Sequence, residues 1–226
     1  MTSESPESAP SPSAAAEFFS RRRVAFVLLV LLVEIGIYFA GLFTPMSDAA
    51  RQQLANQTST QFGNFRSGSP AGLTAFIFTH NLTIALFEMI PVAGAFLFGF
   101  SVYGTGLAAQ ALVAYQGLPV QWGAVIFAFP YSLVELTAYA LAVVSGFALV
   151  AAWRKRRLRR EAKVFMLEGI AVAGILLVAA SMEAATVGIS PVLGFALWLP
   201  TGLVIAGGVL LARRMRERVR AEELRP

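Results

Sequence analysis

Charge is absent from long stretches of this chain. Sixteen of its eighteen Lys and Arg residues fall into three blocks, residues 21–23, 154–163 and 213–225, with only Arg51 and Arg66 elsewhere. Between the blocks run apolar segments of about 20 residues, the length a helix needs to cross a hydrocarbon core of about 30 Å at about 1.5 Å per residue. Lipid offers a peptide group no hydrogen bond, so each such segment must satisfy its own backbone and becomes a helix. With 57% hydrophobic and 14% charged residues, a soluble domain is excluded. The pattern predicts an all-α polytopic transmembrane helical bundle of about six spans, near residues 24–43, 72–90, 92–115, 122–152, 164–186 and 190–212. These form one membrane domain over 21–212. Residues 1–20, rich in Ser, Pro, Glu and Ala, read as a disordered tail, and 213–226 as a basic tail.

Six spans put all three basic blocks on one side, which positive-inside orientation makes the cytoplasm, so both termini are expected there and the protein in the cell membrane. Ser20-Arg21-Arg22-Arg23 has the look of a twin-arginine signal. The apolar run after it is long, holds Glu34 and offers no clear small-residue cleavage site, so an uncleaved anchor is expected. The loop at 44–71 falls on the far side and is polar, with a surface helix expected over 48–61, started by Ser47. Directly between two spans, the 154–163 loop is expected to meet anionic headgroups, as is the tail at 213–220. No aromatic platform accompanies either, so neither is read as binding nucleic acid.

Residues 127–147, FAFPYSLVELTAYALAVVSGF, carry the densest chemistry. Pro130 lacks an N–H and disfavours helix at Phe129, predicting a broken or half-length helix there. That break also removes an excess of length, because Trp122 to Trp153 is too long for one straight span. Tyr131, Glu135 and Tyr139 follow at four-residue intervals on one helical face. Ala138, Ala142 and Gly146 form a small-residue ladder for close helix approach, and Gly104 in the glycine-rich third span is expected to serve likewise.

A carboxylate in the bilayer costs roughly 2.5–3.5 kcal/mol on insertion scales, and this chain places Glu34, Glu88, Glu135, Glu168 and Glu183 inside its apolar runs. No Lys or Arg lies well within a span. The acids are therefore expected to be neutral, wet, hydrogen-bonded or paired with another subunit, Glu88 and Glu168 reaching water near the cytoplasmic face. Asn81, Tyr103, Tyr131, Glu135, Tyr139 and Glu183 make up the expected intramembrane polar network.

Enzymatic constellations are missing. There is no Gly-x-Ser-x-Gly elbow and no His-Glu-x-x-His, and Asp48 is the one aspartate, so an aspartyl dyad is impossible within the chain. Without cysteine, and with His80 as the one histidine, neither a metal site nor a redox centre is expected, and no cofactor.

Asn81, the glycine-rich third span, the Phe129-Pro-Tyr-Ser-Leu-Val-Glu135 stretch and Ser181-Met-Glu-Ala184 together resemble the stage II sporulation protein M family, over about 78–202. The matching positions are Asn81, Gly104, Pro130, Glu135, Gly146 and Glu183. Two positions depart: Tyr131-Ser132 replaces the family's usual His-Gly, and Tyr103 replaces the Asn before the glycine of the third span. The resemblance implies a membrane scaffold that assembles with protein partners, as the family's namesake does with cell-wall hydrolases in spore-forming bacteria. Most relatives have no assigned activity. A non-enzymatic scaffold or subunit of an envelope or membrane-remodelling complex, with protein partners or as a homo-oligomer, is the expected role. The alternative is a small transporter or channel component that uses the buried acids as a proton or ion path, and a polar cavity open to both faces would mark it.

Overall fold

A computed structural model describes residues 20–66, 69–188, 191–203 and 206. Its helices are α1 (Arg21–Leu42), α2 (Asp48–Arg66), α3 (Pro70–Glu88), α4 (Ala93–Tyr115), a 3-10 helix (Val120–Ala128), α5 (Pro130–Arg154), α6 (Leu158–Gly188) and α7 (Pro191–Ala196). Five of them (α1, α3, α4, α5 and, over Glu161–Val187, α6) are long and apolar enough to cross a membrane, and a shorter apolar helix covers Gly194–Leu203. The rest of the sixth predicted span lies largely outside the described residues, as do both predicted tails.

Local chemistry sets the helix ends. The Ser20 and Ser69 hydroxyls accept from the backbone N–H groups of Arg23 at 3.3 Å and Gly72 at 3.2 Å, and Pro70 opens α3 where no donor is needed. Ser47 accepts from Ala50 N–H at 3.3 Å at the start of α2. The carbonyls that end α1 would otherwise be orphaned in lipid. Gln110 of α4 answers this by donating its amide to the Leu42 and Thr44 carbonyls, at 2.7 and 2.9 Å.

At the centre stands α5. Every residue from Ala138 to Gly146 is buried, so this helix is surrounded on all sides, chiefly by α6, α1 and α3. The predicted ladder of Ala138, Ala142 and Gly146 lies in that core, and a Cβ at Gly146 would press on the Met89 carbonyl at 2.9 Å. Gly104 differs from expectation: nothing lies within 4 Å of where its Cβ would be. The close crossing uses Gly106 instead. It faces Gly41 of α1, and a Cβ on either would fall on the other helix's backbone. Outward, Leu32, Phe96, Phe100 and Ile170 are exposed, as a lipid-facing surface requires.

The break before α5 is complete. Phe129 is extended (φ −102°, ψ 133°), and α5 alone, with 25 residues, spans about 37 Å at about 1.5 Å per residue. The 3-10 segment is therefore free to lie against the bundle rather than extend the span. Tyr38 of α1 donates to the Gly123 carbonyl at 2.7 Å, Ser132 to Ile126 at 2.8 Å, and the Trp198 indole to Ala128 at 2.8 Å. A second local feature joins α3 to α4: Ala93 N–H bonds the Pro91 carbonyl at 2.8 Å around Val92, whose φ of 66° and ψ of −57° make a strained γ-turn.

Candidate functional site

A chamber of about 330 Å³ lies within the bundle, reached by every long apolar helix. From α5 it takes Tyr131, Ser132, Glu135 and Tyr139. These follow one another down one face because positions four apart share it, and Tyr139 donates its hydroxyl to Glu135 at 3.0 Å. Tyr131 stacks on Phe129 with ring centroids 5.6 Å apart, so the break at Pro130 also sets the upper wall. Glu183 enters from α6, Asn81 and His80 from α3, and Ser101 and Thr105 from α4.

Five of the six residues expected to form the polar network thus line one chamber. Tyr103 does not. Its hydroxyl lies 2.9 Å from Thr44 Oγ1, at the far end of α1, because the close crossing at Gly106 rotates α4 to point Ser101, Val102 and Thr105 inward instead.

Glu34 belongs to the site and was not among the expected network. It lines the chamber from α1, is wholly buried, and neither carboxyl oxygen has a hydrogen-bond partner among the described residues. Glu135 and Glu183 line the same chamber, and Glu88, one turn beyond Ile84 of the lining on α3, is bonded to Ser101 of that lining. The sequence did carry a signal for Glu34: Val30, Glu34, Tyr38 and Leu42 recur at four-residue spacing, and that stripe is the buried face of α1.

Two expectations for the remaining acids are overturned. Glu88 does not reach water. It is buried and accepts from Ser101 Oγ at 2.8 Å. Glu168 is buried as well and has a cation of its own chain, Arg23, which donates to Glu168 Oε2 at 2.8 Å and to Glu161 Oε1 at 2.6 Å. The Arg23 side chain, 11% exposed, folds back from the first turn of α1 against α6. Its long stem carries the charge where the sequence position alone does not place it.

Chemically, then, the chamber can accept hydrogen bonds and positive charge in a low-dielectric setting. Among the described residues no Lys or Arg lines it, and no three acidic or histidine groups converge as ligands of one metal ion.

A family model described as Stage II sporulation protein M matches residues 25–187. The chain belongs to that family. No curated protein and no solved structure matches it. The matched range runs from the first turns of α1 to the end of α6 and holds all the chamber residues, Glu34 to Glu183. In this member of the stage II sporulation protein M family, the multi-pass helical bundle and the acidic chamber are one unit.

Proposed function

We propose that this stage II sporulation protein M family member is a non-enzymatic scaffold. It would serve as a subunit of an envelope or membrane-remodelling assembly in the cell membrane, with both termini cytoplasmic and the 154–163 loop on anionic headgroups. The observation that supports this over a conduit is the shape of the chamber. Its lining stops at Tyr139 on α5, Ile84 on α3 and Ser101 on α4. Toward the side of the basic blocks at 21–23 and 154–163, buried Val30, Met89, Phe98, Leu141, Val144, Val172 and Leu176 close over it, with Glu88, bonded to Ser101, the acid at that depth. A proton or ion path has to be wet from face to face, and these apolar side chains interrupt it.

The second reading, a transporter component, draws on the acids themselves, since buried ionisable groups in membranes are costly and often functional. One pair of substitutions separates the two. Glu135→Gln keeps shape and hydrogen bonding but removes the titratable proton; Glu135→Leu leaves the Tyr139 hydroxyl without its partner, at about 1–3 kcal/mol. For a scaffold, the Gln variant complements a deletion strain and co-purifies in mild detergent with the same companions as the wild type, while Leu lowers the melting temperature. A Gln variant that is stable and assembled yet fails to complement would replace the scaffold with the transporter.

A further inference from the structure

The chamber has a side door. α3 and α4 touch at their turn, where Gly94 lies on the Glu88 backbone and Ser101 bonds the Glu88 carboxyl. Beyond it, α3 packs mainly on α6 and α4 mainly on α1, so the two part. The chamber residues on the two edges of this cleft are not enclosed: Thr105 is exposed and His80 half-buried, each near the middle of its helix. Midway along a span, what lies outside is hydrocarbon rather than water.

Behind the door stands Glu34, buried and with both oxygens unpartnered, with Glu135 and Glu183 lining the same space. A free cation is insoluble in the medium the cleft faces, whereas a cation carried on a helix is delivered at that depth. A second copy of this chain has none to deliver. Its spans at 24–43, 72–115, 122–152 and 164–212 contain no Lys or Arg.

We propose that the cleft between α3 and α4 is the docking site for a transmembrane helix of a different protein, one that carries a Lys or Arg in mid-span and places it against Glu34. The inference rests on the scaffold reading and names the chemistry of the partner. The ammonium or guanidinium has three or five donors, and the acids, the Asn81 amide oxygen and the chamber hydroxyls supply acceptors. The arrangement inverts the Arg23–Glu168 pair, in which this chain supplies both charges.

The test is photocross-linking of the full chain in membranes of its own source, with benzoyl-phenylalanine replacing Thr105. The expected product joins the chain to a different protein through a span that contains a Lys or Arg. Changing that residue to Leu, or Glu34→Gln in this chain, lowers the yield at least tenfold. The detergent melting and elution of the Glu34→Gln chain stay unchanged; should that variant fail to fold, the change of the partner's Lys or Arg to Leu is read in its place. A product with a second copy, a product with lipid alone, a partner span without a cation, or a yield indifferent to Glu34 and to the partner's cation each overturns the docking site. The scaffold reading fails separately, if the wild-type chain is extracted from those membranes as a lone monomer.

Discussion

Arg23 and Glu168 show how far one residue's role depends on its neighbours in space. Burying two charges is expensive, and such a pair adds little net stability over an apolar pair of similar volume, but removing one partner strands the other. Arg23→Ala is therefore expected to cost about 3–5 kcal/mol, since it leaves the buried Glu168 unpaired. Adding Glu168→Leu should recover most of that. Thermal melting in detergent compares the three, and an Arg23→Ala chain that melts like the wild type would remove the pair from the stability account. This pair was illegible in the sequence because the arginine stands at the mouth of the first span. Only the packing of α1 beside α6 turns its stem inward. Glu135 with Tyr139 was legible, because four-residue spacing on one helix needs no tertiary information. Glu34 was half legible. Its stripe marked the buried face of α1, and nothing in the chain told which helices that face would meet.

At the scale of elements, helix existence followed from hydropathy and the break from Pro130, whereas helix rotation did not. Gly104 and Gly106 are both in the third span and two residues apart, so they point some 200° apart on a helix with about 3.6 residues per turn. Composition cannot choose between them. The choice of Gly106 for the crossing with Gly41 carried Tyr103 away from the chamber and brought Ser101 and Thr105 into it. Opposite outcomes follow for two similar substitutions. Gly106→Ala should overpack against the Tyr38 and Leu42 backbone and lose about 1–3 kcal/mol. Gly104→Ala, with open space at its Cβ, should be neutral or gain up to about 1 kcal/mol of helix propensity. Equal melting temperatures for the two variants would contradict the crossing described above.

At the scale of the whole molecule, Arg23 at the start of α1 meets Glu161 and Glu168 in the first turns of α6, so the basic blocks at 21–23 and 154–163 share one side of the described bundle; the orientation expected from them rests on counting Lys and Arg near span ends. A cysteine at Ser59, in the exposed face of α2, and one at Leu158, at the exposed start of α6, should react with a membrane-impermeant maleimide from opposite sides of sealed vesicles. Labelling of both from the same side would overturn the orientation. The chamber, by contrast, is a property of the assembled molecule. Its acids come from α1, α5 and α6, and no local pattern brings those three together.

The Arg23–Glu168 contact also has a timetable. Its partners are 145 residues apart, and at about 5–20 residues per second that separation amounts to roughly 7–30 s of synthesis. Throughout that interval the first helix exists without Glu161 or Glu168 for its guanidinium to meet. Only once α6 has been made can the guanidinium meet the Glu161 and Glu168 carboxylates. The pair thus ties the first long helix of the described bundle to the last, and only a chain made as far as Glu168 can form it.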